Sequence, residues 1–234
     1  MHVIQIWRYP IKSVGGEELS TATITDLGVD GDRGWGLVDD SNGYVLTARR
    51  EPKLLMATCR LVDGVPVATT GTGDTLRTSA DWTGWLGRTV RLERAGDSGG
   101  TYENPLDAEN EADWVSWQGP PGAWHDSARS RISLVSTGSL GDWDVRRFRA
   151  NIVVDGSGED EFVGSQIRIG DEVEATVMKG IDRCVMVTRP QPGLERDLDV
   201  LRTISKRPSS TFCIGALIDR GGVITAGDRV EATS

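Results

Sequence analysis

Histidine and cysteine are scarce in this sequence of 234 residues. The two histidines, His2 and His125, are too few to build a histidine-rich metal site or a proton relay. The three cysteines, Cys59, Cys184 and Cys213, lie far apart without a C-x-x-C pair, and this spacing predicts neither a disulfide framework nor a zinc site. Any metal would therefore have to arrive within a cofactor that supplies its own ligands.

Positive charge and long apolar runs are lacking as well. The chain carries 26 Lys and Arg against 35 Asp and Glu, a formal net charge of −9. Because a nucleic-acid-binding protein needs a strong basic field, we expect no nucleic-acid partner. No apolar run approaches the ~18 residues that indicate a membrane span, and the N-terminus lacks the hydrophobic segment of a secretory signal. We therefore expect a cytoplasmic protein with no membrane partner.

Turn-forming residues, in contrast, are abundant. With 29 glycines, 9 prolines and 38% hydrophobic residues, the composition favours many strands and turns over a helical bundle. The predicted fold is therefore β-rich α+β with a few short helices. A glycine-rich stretch at residues 95–100 is typical of a linker, and it divides the chain into two predicted domains, residues 1–96 and 97–234.

Local patterns predict several short helices. One covers residues 81–86, a second covers residues 111–117 after a cap at Asn110, and a weak third runs from Ser136 through Trp143. Apolar residues at positions 198, 201 and 204 predict a fourth helix, whose leucines and isoleucine belong to the core and which Pro208 ends.

One short sequence, Gly-Asp-x-Val-Glu-Ala, occurs twice, at residues 170–175 and 227–232. Each copy has a Gly-Asp turn followed by an alternating strand. We interpret the pair as two barrel strands that are entered by the same turn.

Cys184 is the cysteine with the most informative neighbours. It directly follows Arg183 and precedes a β-branched run at residues 185–188 that predicts a strand. A thiolate is a soft metal ligand, and Gly180 just upstream lets the backbone approach a bulky group. Taken alone, however, a single cysteine ahead of a strand is more often a small buried hydrophobic residue. Cys59 and Cys213, within strand-like runs, are expected in the core.

Three basic residues near the N-terminus are ambiguous on their own. Lys12 follows the first predicted strand in a turn, where a solvated loop lysine is the usual interpretation. Arg49 and Arg50 precede a Glu-Pro corner, and we expect one of them to brace it by an ion pair.

Several segments together resemble a known family. They are Tyr-Pro-Ile-Lys-Ser at residues 9–13, Gly-Asp-Arg at 31–33, Leu-Thr-Ala-Arg-Arg-Glu-Pro at 46–52, Phe-Arg-Ala-Asn-Ile-Val at 148–153, Arg-Cys at 183–184 and Gly-Asp-x-Val at 227–230. In this order they resemble the MOSC superfamily, named for the C-terminal domain of molybdenum-cofactor sulfurases. The similarity is to the branch with an N-terminal β-barrel subdomain, which includes the mitochondrial amidoxime-reducing component and its bacterial relatives. It spans nearly the whole chain and implies a MOSC β-barrel domain.

The resemblance implies a pterin-based molybdenum cofactor whose metal takes one protein cysteine as a ligand. Cys184 matches that cysteine, which would be both the metal ligand and the catalytic residue. Positions that match or fall near the family's cofactor-binding residues are Lys12, Ser13, Arg33, Ser136, Ser139, Arg149, Asn151 and Arg183. Arginine suits the terminal phosphate of the pterin because its planar fork can donate two hydrogen bonds. For Asn151 two roles stay open, pterin binding and strand-end capping.

The sequence also departs from the family. Asp182 precedes the Arg-Cys pair, and a carboxylate is unfavourable beside an anionic metal centre unless it points away or accepts pterin N–H groups. The loop at residues 187–190 differs from the family pattern as well. The superfamily association with pyridoxal phosphate has no support here, because no phosphate-binding lysine of such an enzyme is recognisable.

The resemblance implies an oxidoreductase that reduces small N-oxygenated substrates such as amidoximes and hydroxylamines. No cysteine-rich ferredoxin segment follows Ala232, so electrons are expected from a separate flavin, haem or iron–sulfur protein. Two alternatives stay open at this point. The chain could be a non-catalytic carrier of the cofactor, or it could transfer sulfur as a persulfide on Cys184.

Overall fold

The computed structural model of the protein describes residues 1–106, 113–207 and 209–233. Within them the chain forms eighteen β-strands and three short α-helices. The helices are α1 (Ser79–Leu86), α2 (Thr137–Leu140) and α3 (Asp199–Ser205). The strands are β1 (Val3–Arg8), β2 (Glu17–Leu19), β3 (Thr21–Thr25), β4 (Gly28–Val29), β5 (Trp35–Asp39), β6 (Ala57–Val62), β7 (Val65–Thr70), β8 (Thr75–Leu76), β9 (Val90–Arg94), β10 (Thr101–Pro105), β11 (Trp114–Gln118), β12 (Ile132–Ser136), β13 (Ile152–Val154), β14 (Gln166–Ile169), β15 (Val173–Asp182), β16 (Thr211–Arg220), β17 (Gly222–Thr225) and β18 (Val230–Thr233). The predicted β-rich α+β class is confirmed.

Eight strands form the main sheet in the order β18-β14-β15-β16-β12-β13-β1-β2. Only β12 and β13 run parallel among its described pairs. The sheet shares one apolar core with the small sheet β17-β3-β4, to which β-branched residues such as Val3, Ile24 and Ile167 contribute. Burying each such side chain contributes about 1.5–3 kcal/mol. The N-terminal strand is therefore built into the same sheet as strands from the C-terminal half.

The repeated Gly-Asp-x-Val-Glu-Ala sequence forms the two neighbours of β14. Ile169 of β14 pairs with Val173 on one side and with Val230 on the other, and Ile167 pairs in the same way with Ala175 and Ala232. Gly170 and Gly227 both have positive φ, which glycine adopts without steric cost. The interpretation as two barrel strands entered by the same turn is confirmed.

The remaining N-terminal sheets, β5-β9 and β6-β7-β8, surround a second apolar core with the buried Trp82 of α1 at its centre. Thr78 caps α1 in a capping box with Asp81, and the left-handed Gly87 ends it. The prediction of a helix over residues 81–86 is confirmed, with an earlier start. In the described part of the chain, none of the helices has the length and apolar character needed to cross a bilayer.

The strand predicted at residues 185–188 is wrong. Val185–Thr188 is a 3₁₀ turn, and Cys184 follows the ten-residue strand β15 instead of preceding a strand. Arg147 explains the difference, because its guanidinium donates to the carbonyls of Val187 and Arg189 at 3.4 and 3.5 Å. These tertiary contacts override the β propensity of the run.

The helix predicted over residues 111–117 is also wrong where the structure describes it. Trp114–Gln118 is strand β11 and pairs with β10, and its Trp117 lies 4.8 Å from the ring of Tyr102. The predicted cap Asn110, together with Glu111, lies outside the described residues.

The other two helix predictions need smaller corrections. Ser136 does cap α2, but the helix ends before Gly141 and does not continue through Trp143. Helix α3 begins after Leu198, which is 43% exposed and so does not belong to the core, whereas Ile204 is fully buried. Pro208, the predicted end of that helix, lies outside the described residues.

Candidate functional site

A cleft of about 510 Å³ lies between the N-terminal and C-terminal halves of the chain. Its walls come from loops at strand ends, so residues that are distant in sequence converge there. It brings together seven of the nine residues predicted to form a site: Lys12, Ser13, Arg33, Arg149, Asn151, Arg183 and Cys184.

Ser136 and Ser139 lie outside this cleft. Ser136 is fully buried, and its hydroxyl accepts a hydrogen bond from the backbone N–H of Ser139 at 3.1 Å and donates to Glu159. The hydroxyl is therefore used for capping helix α2 and for satisfying a buried carboxylate. Neither serine lines the cleft, and their assignment to the cofactor stays a prediction.

Cys184 stands where β15 ends, and it is partly exposed at the cleft wall. The other two thiols are buried, and burial raises the pKa of Cys59 to about 12 and that of Cys213 to about 11. Both are therefore protonated core residues at neutral pH, as expected, which leaves Cys184 as the thiol available to a ligand.

Arg183 fixes the backbone around Cys184. Its Nε donates to the carbonyl of Phe212 at 2.8 Å, and its Nη1 donates to the carbonyl of Phe148 at 2.9 Å. Asp182 lies at the cleft, where its side chain is 82% exposed and its carboxylate is 3.7 Å from the ammonium of Lys179. The carboxylate that departs from the family pattern is thus directed toward solvent and a cation.

Lys12 is buried in the wall and is not a solvated loop residue. Its Nζ donates to the carbonyl of Trp124 at 3.0 Å and to Asp126 at 2.7 Å, and it lies 4.3 Å from the ring centroid of Tyr102. Burial lowers the pKa of Lys12, and Asp126 opposes that shift.

Arg33 and Arg149 lie over the ring of the buried Tyr9, at 5.4 and 4.3 Å from its centroid. Arg33 forms an ion pair with Asp32, while Arg149 donates to the carbonyl of Val14. Burial, together with the neighbouring charge of Arg33, lowers the pKa of Arg149 to about 10. Two guanidinium groups are therefore held close together on the cleft wall at an electrostatic cost.

The backbone of the cleft wall is strained at three of these positions. Ser13, Arg33 and Arg149 have φ values of 68, 52 and 54°, in the left-handed region that disfavours residues with a Cβ. Such conformations cost on the order of 1–3 kcal/mol each and cluster at functional sites.

Four buried guanidinium nitrogens on the cleft wall have no hydrogen-bond partner among the described residues: Arg49 Nε, Arg131 Nη1, Arg149 Nη2 and Arg183 Nη2. The lining contains eight Lys and Arg side chains against the two carboxylates of Asp126 and Asp182. Because unpaired buried donors are costly, this arrangement is suited to an anionic ligand. The cleft is thus strongly cationic in a chain whose net charge is −9.

Sequence reasoning missed Arg131 and Arg147, and it did not separate Arg49 from Arg50. Arg50 is the brace, with its Nε 3.6 Å from Glu103 and its guanidinium 4.3 Å from the ring centroid of Trp114. Arg49 instead faces the cleft. The paired arginines at 146–147 and the arginines at 129 and 131 were the available signal.

The side chain of Asn151 is hydrogen-bonded to neighbouring strands. Its Oδ1 accepts hydrogen bonds from the N–H and the hydroxyl of Ser133, both at 3.1 Å, and its Nδ2 donates to the carbonyl of Trp7 at 3.3 Å. Of the two roles left open, these bonds favour the structural one.

The donor set fits the implied cofactor. No group of three or more His, Cys, Asp or Glu side chains that could hold a metal ion occurs among the described residues. A metal bound beside Cys184 would therefore take most of its ligands from the cofactor itself. The unpaired guanidinium nitrogens offer donors for a phosphate in the same cleft.

The chain is similar in sequence to proteins of two kinds. The molybdenum cofactor sulfurase of Drosophila grimshawi is 29% identical in an alignment of 252 positions, which covers 93% of this chain and 32% of the relative. The mitochondrial amidoxime-reducing component 1 of Mus musculus is 28% identical in an alignment of 289 positions, which covers 97% of this chain and 81% of the relative. The chain therefore spans only about a third of the length of the sulfurase.

Among solved structures, the YUAD protein from Bacillus subtilis aligns over 99% of this chain and 94% of its own, with a TM-score of 0.47 and 11% identity. The model of the MOSC N-terminal beta barrel domain matches residues 1–116, and the model of the MOSC domain matches residues 122–231. Two adjacent family models thus account for nearly all of the sequence, and the chain belongs to the MOSC family.

Proposed function

We propose that this protein is a molybdenum-cofactor-dependent oxidoreductase that reduces small N-oxygenated compounds such as amidoximes and hydroxylamines. The observation that carries the proposal is one partly exposed thiol, Cys184, in a cleft lined by unpaired guanidinium donors. The similarity to an amidoxime-reducing component over 97% of the chain supports the reaction class.

Each cleft residue has a proposed part. Cys184 would ligate the metal, and Arg149 and Arg183 would donate to the anionic pterin phosphate through their unpaired nitrogens. Lys12 and Arg33, each already paired with a carboxylate, would contribute positive charge and the shape of the wall. The cofactor, when bound, supplies the two-electron redox chemistry.

The overall reaction consumes two electrons and two protons. The N–O bond breaks, the hydroxyl takes one proton and leaves as water, and the nitrogen takes the other proton and keeps its remaining bonds. The electrons would come from a separate flavin, haem or iron–sulfur protein. Arg183 and Arg147 would serve by holding the backbone around Cys184 through bonds to carbonyls, so that the thiol keeps one orientation.

The test is the molybdenum and pterin content of protein made in a host that synthesises the cofactor. We expect stoichiometric metal in the wild type, loss of metal in Cys184→Ala, and retention in Cys59→Ala, which removes a core thiol far from the cleft. Loaded wild type should then reduce an amidoxime with a chemical reductant, and Cys184→Ala should not.

Other outcomes would point to the alternatives. Pterin in both proteins with metal in neither would favour a cofactor carrier. A folded wild type with neither component, and a Cys184 that carries a persulfide, would favour sulfur transfer. A Cys184→Ala protein with full metal and full turnover would falsify the ligand assignment.

A further inference from the structure

The turn formed by residues 47–51 presents two polar side chains to the cleft. The N–H of Glu51 donates to the carbonyl of Thr47 at 2.8 Å and closes the turn. Thr47, Ala48 and Arg49 all line the cleft, and Ala48 is also buried against the N-terminal core. Of the three, Thr47 and Arg49 have polar side chains that can bind a ligand group.

The neighbours on the far side of the turn hold it in place. Arg50 contacts Glu103 and the ring of Trp114, and Glu51 lies 3.7 Å from Arg88. The N–H of Leu46, just before the turn, donates to the carbonyl of Leu37 at 2.7 Å. Because the backbone is thus anchored at both ends, the position of Arg49 is set before any ligand binds, which lowers the entropy cost of recognition.

Both cleft-facing side chains carry unpaired polar atoms. Arg49 Nε and Thr47 Oγ1 are buried and have no hydrogen-bond partner among the described residues. Unpaired buried donors of this kind need an explanation, and two of them on one turn indicate a ligand group that accepts hydrogen bonds.

This turn is distinct from the loops that carry the proposed cofactor residues. Those residues lie in the segments around Lys12, Arg33, Arg149 and Arg183. Thr47 and Arg49 line the same cleft as Cys184 and Met186. The turn therefore belongs to the part of the cleft wall that the N-terminal half supplies.

The charge balance favours an anion at the turn. Lys12, Arg33 and Lys179 each have a carboxylate within ion-pair distance. Arg49 forms no ion pair with any described residue. A phosphate monoester brings about two negative charges, and the eight cations of the lining outnumber its two carboxylates and Asp32, the partner of Arg33, by five. Positive charge is thus available for a second anionic group.

We propose that Arg49 and Thr47 form a subsite for a carboxylate of the substrate, so that the preferred substrates are N-oxygenated compounds that also carry a carboxylate. This inference rests on the proposed function for the identity of the reacting group. Arg49 would donate through its guanidinium and Thr47 through its hydroxyl, and the carboxylate would be held while the N–O group lies toward Cys184.

The test compares an aryl amidoxime that bears a ring carboxylate with the same compound as its primary carboxamide. For loaded wild type we expect kcat/KM to be at least about tenfold higher for the carboxylate, the size of a charged hydrogen bond. Arg49→Gln should remove that preference and leave kcat/KM for the carboxamide within about twofold of the wild-type value. The loss for the carboxylate should be a rise in KM. Arg49→Lys should restore part of it, since it returns the charge without the planar fork.

Arg229→Gln is the matched control. It removes the same charge at an exposed surface pair with Glu231, outside the cleft lining, and it should keep the wild-type preference. Equal loss on both compounds in Arg49→Gln, or the same change in Arg229→Gln, would overturn the subsite.

Two further measurements show whether Arg49 binds an anionic group of the substrate or of the cofactor. Arg49→Gln should keep the molybdenum and pterin content of the wild type, and loss of pterin would assign Arg49 to the cofactor and overturn the proposal. The dissociation constants of both compounds, measured by quenching of tryptophan fluorescence, test the subsite independently of turnover. If loaded wild type reduces neither compound, the proposed reaction fails. The subsite is still supported if the wild type binds the carboxylate more tightly than the carboxamide and Arg49→Gln abolishes that difference. If the wild type binds both compounds equally, the subsite is overturned.

Discussion

At the scale of single residues, His125 links stability to pH. It is 5% exposed, and its Nε2 lies 3.0 Å from the carbonyl of Leu27. Burial, together with the charge of Arg33, lowers the pKa of His125 from 6.5 to about 4. The unfolded chain takes up this proton near pH 6.5 and the folded chain only near pH 4. The contribution of His125 to stability is therefore complete above pH 6.5 and is lost as the pH falls through this window, by up to about 3 kcal/mol.

Urea unfolding at pH 7.5, 6 and 5 should show this loss. We expect His125→Gln, whose amide can also donate to Leu27, to flatten the profile in that range. His2→Gln is the control, because His2 is exposed and contacts only the surface around Asp155. A profile that keeps its slope in His125→Gln would assign the pH dependence to other groups.

The residues of the cleft differ in how far the sequence could identify them. Lys12, Arg33, Arg149 and Cys184 stand in motifs that match a family, and the structure brings them to one cleft. Arg131 belongs to no such motif. The arginines at positions 129 and 131 show only that this segment is basic, and the place of Arg131 in the cleft depends on tertiary contacts that a local pattern does not report.

At the scale of elements, the 3₁₀ turn after Cys184 depends on Arg147. This side chain is 9% exposed, and its Nη2 donates to the carbonyl of Glu195 at 2.7 Å, besides the longer bonds to Val187 and Arg189. One buried cation thus holds both ends of the segment that follows the proposed metal ligand.

We expect Arg147→Met to lower the free energy of unfolding by about 2 kcal/mol, because it leaves buried carbonyls without donors. Hydrogen exchange followed by mass spectrometry should show faster exchange at residues 185–197. Arg202→Met, at an exposed position of α3, should change neither quantity. Unchanged exchange in Arg147→Met would mean that the turn is held by other contacts.

Both wrong element predictions have the same physical origin. The run at residues 185–188 has strand propensity, but no neighbouring strand is available after β15 leaves β16 near Asp182, and Arg147 takes its carbonyls. Residues 114–118 lack a helix-breaking residue, yet pairing with β10 and the contact of Trp117 with Tyr102 decide their conformation. The helix predicted over residues 81–86 does form, and the structure adds the local capping box of Thr78 and Asp81 at its start.

At the scale of the whole molecule, a cationic cleft lies in a chain with a net charge of −9. Nonspecific anion binding should therefore be weak, and specific binding in the cleft should stabilise the fold by mass action. We expect phosphate at ten times its Kd to raise Tm by about 3–6 °C over chloride at equal ionic strength.

Arg149→Gln should remove most of this increase, because it takes away an unpaired donor of the cleft. Arg229→Gln, at an exposed surface pair with Glu231, should keep it. The comparison between variants is needed because phosphate also stabilises proteins by exclusion from their surface. An equal increase in all three proteins would indicate that general effect alone.

The division of the chain into residues 1–96 and 97–234 stays a prediction, as does the cytoplasmic location. The structure adds a feature that no local pattern contains. Strand β1 lies between β13 and β2, and β3 pairs with β17, so two of the first three strands are hydrogen-bonded to strands from the last half of the chain. Long-range pairing of this kind is set by the burial of both faces, and a single sequence does not report it.

The left-handed backbone at Ser13, Arg33 and Arg149 has a consequence for laboratory evolution of this protein. Glycine would relieve each of these conformations, and asparagine would relieve them in part. Selection for thermal resistance alone should therefore enrich glycine and asparagine at these three positions, while selection for ligand retention should keep the arginines. Heat-resistant variants obtained without a functional screen should lose the cleft residues before others, because the residues that most stabilise these three positions differ from those that bind the ligand.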